Sequence, residues 1–102
     1  MENEVLETDS FSKLFEILER DEKEWIKKII IQLKTNSNVG KPLGFKWFRE
    51  KKFKGKRLYY LVYNNLNKVL LVGFGGKKEQ QKIINHILAN RDRYRKIVET
   101  AQ

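Results

Sequence analysis

Lys46, Arg49, Lys51, Lys52, Lys54, Lys56 and Arg57 crowd into one stretch of the chain, interleaved with Trp47, Phe48 and Phe53 and followed by Tyr59, Tyr60 and Tyr63. Cations hold phosphates and aromatic rings stack on unpaired bases, so this mixture suits single-stranded RNA. Lys46, Lys52, Lys54, Lys56, Lys77 and Tyr60 are the expected RNA contacts. The same residues also read as a core of Trp47, Tyr59 and Leu61 beneath a wet lysine face. Alternate residues of a strand share a face, which sets Arg49 and Lys51 beside Phe45, Trp47 and Phe53 or beside neighbours on the next strand.

Other chemistries have little to work with. Gly73-Phe74-Gly75-Gly76-Lys77-Lys78 has the look of a phosphate loop, but a nucleotide-hydrolysing loop needs Gly at position 71 and Ser or Thr at 78, where this chain has Leu71 and Lys78. What remains is a glycine-rich connection with free backbone N–H groups and two lysines. The chain has no Cys, and His86 is its single His, so thiol catalysis, Cys-type zinc and a His-based metal cluster are excluded. Glu50 and Glu79 are the sole carboxylates between residues 40 and 79, too few for a two-metal nuclease. No metal and no cofactor are expected. Chemistry on RNA would then run on Lys, Arg and Tyr, with cations stabilising the developing phosphorane charge.

The elements that carry these residues follow from periodicity. Phe11, Leu14, Phe15 and Leu18 make one helical stripe starting near Asp9 or Ser10, and Ile26, Ile29, Ile30 and Leu33 make a second after the capping-box pattern Asp21-Glu22-Lys23-Glu24. So short a junction predicts an antiparallel helical hairpin. Gly40, Pro42 and Gly44 predict a loop. Residues 45–53 and 57–63 read as a hairpin turning at Lys54-Gly55-Lys56, and Val69-Leu70-Leu71-Val72 as a buried strand. Glu4 to Thr8 is a short first strand, and residues 77–98 are a single helix. The order β-α-α-β-β-β-α makes an α+β fold: an N-terminal helical hairpin and a C-terminal helix on a small antiparallel sheet of three to four strands.

A chain of 102 residues with 40% apolar residues closes one core, and residues 1–102 are expected to form a single domain. Its formal charge of +9 is unevenly spread: residues 40–79 hold 11 basic and 2 acidic groups, against 6 and 9 before them. That concentration points to a phosphate-binding face. A lysine-rich surface inherited from an AT-rich genome is the plainer alternative. No apolar run approaches the roughly 18 residues that span a bilayer, and the acidic start is unlike a secretory signal. The expected address is the cytoplasm, without membrane contact.

The succession Gly40-Lys41-Pro42-Leu43, Phe48-Arg49-Glu50-Lys51-Lys52, Gly55-Lys56-Arg57-Leu58-Tyr59-Tyr60-Leu61-Val62-Tyr63, Val69-Leu70-Leu71-Val72 and Lys77-Lys78 resembles the RelE/ParE superfamily of toxin-antitoxin toxins over nearly the whole chain. The resemblance implies either a ribosome-dependent, metal-independent mRNA endoribonuclease or a non-catalytic member of the fold acting through a protein partner such as gyrase. It implies catalytic roles for Arg57, Lys78, Arg49 and Lys51, although a one-residue shift puts Phe48 and Glu50 in place of the last two. Nucleases of the family often carry a Tyr six residues after the last basic position, where this chain has Ile84. The implied partners are the ribosome or mRNA and a small acidic antitoxin or other peptide segment. A docking groove is expected between the helical hairpin and the sheet, near Trp25 and Trp47.

Overall fold

A computed structural model describes residues 2–101. Its elements are β1 (Glu4–Glu7), α1 (Asp9–Glu16), α2 (Arg20–Thr35), β2 (Lys41–Phe45), β3 (Phe48–Phe53), β4 (Lys56–Tyr63), β5 (Lys68–Gly76), α3 (Gln80–Ala89) and α4 (Arg91–Thr100). The strands form one sheet in the order β1-β5-β4-β3-β2. Helices cover both faces. The hairpin α1/α2 packs Phe11, Ile26, Ile29 and Leu33 on Leu58, Tyr60, Val62, Val69, Leu71 and Phe74. On the other face α3 and α4 bring Ile87, Tyr94 and Val98 onto Phe48, Tyr59, Leu61, Tyr63 and Leu70. A strand buried on both faces loses the apolar-polar alternation of a half-wet one, which is why residues 58–63 are buried without a break.

The sheet differs from the sequence expectation in three ways. It has five strands, because Lys41–Phe45, expected as a loop, pairs antiparallel with β3 at the sheet edge. Pro42 lacks a ladder N–H and is tolerated on an edge, with an irregularity between Pro42 and Phe45 and Gly44 at φ +85°. The sheet is mixed rather than antiparallel, since β1 runs parallel to β5, Glu4 opposite Lys68 through Glu7 opposite Leu71. The final strand also runs on through the glycines to Gly76, so those residues are ladder rather than loop. An extra residue at Val72, between the pairs Tyr60–Leu71 and Tyr59–Gly73, switches the facing of the strand: Leu71 and Phe74 both meet the hairpin.

Helix ends also shift. Thr8 caps α1, its hydroxyl accepting from the Phe11 N–H at 3.1 Å. The capping box of α2 is Glu19 with Glu22, two residues before the pattern read from sequence. The expected last helix is a 3-10 turn, Lys77–Glu79, followed by two helices broken at Asn90, whose side-chain amide donates to the His86 carbonyl at 2.8 Å. Gln102, the end of the expected extension, lies outside the described residues. Among the described residues no helix is long and apolar enough to cross a membrane.

Candidate nucleic-acid interface

The β3–β4 hairpin decides which cations can act together. Phe53 pairs with Lys56 across Lys54-Gly55, which sets Lys52 opposite Arg57, Glu50 opposite Tyr59 and Phe48 opposite Leu61. Directly opposed residues project to one face, so Arg57 shares its face with Lys52, Glu50 and Phe48. Arg49 and Lys51 project to the hairpin face, opposite Tyr60 and Leu58. The four expected catalytic residues therefore do not converge.

Arg49 has a structural task instead. Its guanidinium donates to the carbonyls of Asn38 at 3.0 Å, Val39 at 3.3 Å and Gly40 at 3.0 Å, fastening the loop between α2 and β2. Tyr60, expected to touch RNA, is fully buried under the hairpin and its phenol donates to the Val39 carbonyl. Lys54 and Lys56 are engaged by the acidic start of α2, Lys54 with Asp21 at 2.9 Å and Lys56 with Glu22 at 2.6 Å. The hydrogen bond from Lys56 holds the Glu22 carboxyl below its ordinary value, and that from Lys54 does the same for Asp21. Lys46, Lys52, Lys77 and Lys78 are exposed.

The residue that sequence reasoning set aside sits at the centre. Glu50 is 2% exposed, yet three groups converge on it. Arg57 Nε lies 3.3 Å from Oε1, Gln80 Nε2 of α3 donates to the same oxygen at 3.2 Å, and Lys41 Nζ of β2 stands 3.6 Å from Oε2. A cavity of about 300 Å³, lined by Gly40, Lys41, Glu50, Lys51 and Lys52, opens beside the carboxylate. Two buried donors in this neighbourhood, Arg57 Nε and the Tyr59 hydroxyl, have no hydrogen-bond partner; the Arg57–Glu50 approach is an ion pair without hydrogen-bond alignment. Unsatisfied buried donors are uncommon, and each calls for a physical explanation. The signal in the sequence was parity: Glu50 is the single carboxylate between Glu24 and Glu79, and it lies in step with Arg57 across the turn.

Burial pushes the phenols of Tyr59, Tyr60 and Tyr63 up to about 12. Glu50 adds to the rise at Tyr59, and Tyr94 is raised by burial as well. A phenol ionises near pH 10 in the unfolded chain, roughly. The stability linked to these groups is therefore complete below about pH 10 and lost as pH rises towards 12. Phenolate absorbance is expected to appear steeply, together with loss of the fold. A smooth titration centred near pH 10 with the fold intact would contradict the burial.

Ile84 is half-buried against the α3/α4 core, and no phenol stands in its place. The two tryptophans lie on opposite sides of the sheet. Trp25 stacks on Phe53 at 4.9 Å on the hairpin side, and Trp47 stacks on Phe45 at 4.8 Å against the α3/α4 core. No single groove joins them. Trp47 instead edges a cavity of about 360 Å³ with Tyr63, Arg91 and Arg95.

The sequence matches no family profile and no curated protein. Solved structures do match. The free state of a double mutant of E. coli toxin RelE superposes with a TM-score of 0.74 at 18% identity, over 88% of this chain and 98% of that one. The fold is that of the RelE toxins. A RelE mutant in complex with an antitoxin RelBc peptide matches with a TM-score of 0.67 at 17% identity, over 80% of this chain and 94% of that one. In the intact E. coli RelBE toxin-antitoxin complex the matching chain gives 0.62 at 19% identity, covering 72% of this chain and 95% of its own length. On this RelE fold the ambiguity in the strand before Arg57 is resolved by register: Phe48 and Glu50, not Arg49 and Lys51, share the Arg57 face.

Proposed function

We propose that this protein is a RelE-type toxin of a toxin-antitoxin system, acting in the cytoplasm as a ribosome-dependent, metal-independent mRNA endoribonuclease. The observation that carries the reading is the buried Glu50 carboxylate, bracketed by Arg57, Lys41 and Gln80 beside an open cavity in the most basic part of the chain. Lys41, whose side chain is 61% exposed, is the partner of Oε2 and is free to leave it for a phosphate. Oε2 then accepts the proton of a ribose 2′-hydroxyl. The 2′-oxygen forms a bond to the adjacent phosphorus, the bond from phosphorus to the 5′-oxygen breaks, and that oxygen takes a proton from water or from the Lys78 ammonium. The products are a 2′,3′-cyclic phosphate and a 5′-hydroxyl. Arg57 and Lys52 neutralise the charge that grows on the phosphoryl oxygens. The RelE structures in complex with RelB support an antitoxin as partner.

Ile84 favours a second reading, a RelE-fold module that binds a nucleic acid or a protein such as gyrase without cutting, because an alkyl side chain stands where nucleases of the family often carry a phenol. Titrating ribosomes or a single-stranded RNA 12-mer at several salt concentrations tests the shared part. Affinity is expected to fall with a log-log slope of about −0.7 per phosphate neutralised. Lys52→Ala is expected to flatten that slope by about one phosphate equivalent. Salt-insensitive binding, or an unchanged slope, would remove the Arg57 face as the phosphate site. Binding without cleavage on ribosomes would select the second reading.

A further inference from the structure

We propose that the cavity between Trp47 and the first turns of α4 is a binding site for a guanine nucleotide, separate from the Glu50 site. Trp47 lies just before β3 and Tyr63 ends β4, so both stand at the end of the sheet away from the Lys54-Gly55 turn. Glu50 comes three residues later, about 10 Å further along the strand. The Trp47 carbonyl accepts from the Val62 N–H at 2.7 Å, which ties its backbone to β4. The cavity measures about 360 Å³, within the range of about 300–1,000 Å³ typical of small-ligand sites.

Its walls match the base and the phosphate of a nucleotide. Trp47 is half-buried and stacks at 4.8 Å on Phe45, itself 41% exposed, so two large rings are left partly in water where a base can stack. The Arg95 guanidinium lies 6.0 Å from the Tyr63 ring centre and pairs with Glu99 at 3.1 Å, which holds a second planar surface in the wall. Arg91, one helical turn before Arg95, is exposed and has no ion pair or hydrogen bond among the described residues. It is the free cation for a phosphate. Asp92 is the one carboxylate lining the cavity, and it too is unpartnered among the described residues. A carboxylate repels phosphate but accepts both the N1–H and the N2–H of guanine. Adenine turns an acceptor, its N1, toward the same group. Asp92 therefore selects guanine over adenine and leaves the phosphate to Arg91.

The test is calorimetric titration of the full chain with guanosine 5′-monophosphate, adenosine 5′-monophosphate and the RNA tetramer UUGU. The guanine nucleotide is expected to bind about tenfold more tightly than the adenine one. Trp47→Leu and Arg91→Ala are each expected to weaken it about tenfold. Asp92→Asn is expected to bring the guanine-to-adenine ratio to about one. Arg91 and Asp92 are both too exposed for these changes to disturb folding, so they decide the matter even if Trp47→Leu unfolds. Lys52→Ala is expected to leave the affinity unchanged. Displacement of the mononucleotide by UUGU at about tenfold lower concentration would identify an RNA strand as the source of the base, and weaker competition a free nucleotide; both results require the site. No guanine nucleotide binding up to about 1 mM, a guanine preference that survives Asp92→Asn, or a loss in Lys52→Ala equal to that in Arg91→Ala would overturn the proposal.

Discussion

Arg57→Ala is expected to destabilise the fold by about 3–5 kcal/mol, a large effect for a side chain already 12% exposed at its sheet position. The loss comes from what is left behind. Glu50, at 2% exposure, would retain only Gln80 as a hydrogen-bond donor and the mobile ammonium of Lys41, neither of which replaces a guanidinium in a low-dielectric site. The double variant Arg57→Leu with Glu50→Leu is expected to recover most of the stability, because it removes both charges together. It is not expected to recover RNA binding. Urea unfolding of Arg57→Leu, Glu50→Leu and the double variant, read as a thermodynamic cycle, checks this. Additive effects of the two changes would mean that the pair is not coupled.

Gly40→Ala is the second large effect, about 2–4 kcal/mol of destabilisation from backbone strain and a steric clash together. Gly40 has φ +78°, and a Cβ placed there collides with the carbonyl oxygen of Glu50 and the phenol of Tyr60. Gly44 supplies the control. Its φ is +85°, but nothing lies within 4 Å of a new Cβ, so Gly44→Ala is expected to bring the left-handed strain of about 1–2 kcal/mol alone. Because Gly40 also lines the cavity beside Glu50, its variant is expected to weaken RNA binding while Gly44→Ala leaves it intact. Equal destabilisation by the two changes would show that the close approach at Gly40 carries no weight.

Local physics was legible and long-range pairing was not. The stripes Phe11-Leu14-Phe15-Leu18 and Ile26-Ile29-Ile30-Leu33 marked α1 and α2 because a helix repeats its face within the sequence itself, and Phe11, Ile26, Ile29 and Leu33 are indeed core. The residues before Arg57 misled for a related reason. Aromatic and basic residues fill both parities of the strand, so composition alone could not say which set faces Arg57, and the Phe53–Lys56 closure of the turn was needed to choose. Partners remote in sequence left no local mark: β1 reads the same whether it pairs parallel or antiparallel, and Pro42 with Gly44 reads as loop until an edge position makes it a strand. The break at Asn90 was hidden because the apolar positions of α3 and α4 continue one another in helical phase.

Glu50 shows the same limit in the site. A single carboxylate in a basic segment looked like a minor charge, and its role depends on Arg57, Lys41 and Gln80 arriving from β4, β2 and α3. The expected catalytic quartet was divided by the sheet, with Arg57 on one face and Arg49 and Lys51 on the other. Lys78 lies exposed in the turn after β5, and its part as a proton donor belongs to the proposed reaction alone.

Primer extension across mRNA on translating ribosomes, comparing Glu50→Gln with Lys51→Ala, tests the central claim most directly. Glu50→Gln keeps the shape and an acceptor for Gln80 but loses the base, so cleavage is expected to fall about 10²–10⁴-fold. Lys51→Ala removes a cation that lines the same cavity but projects to the hairpin face, and it is expected to leave cleavage within about twofold, both variants being confirmed as folded by thermal melting. Cleavage retained in Glu50→Gln and lost in Lys51→Ala would place the chemistry on the hairpin face and contradict the account.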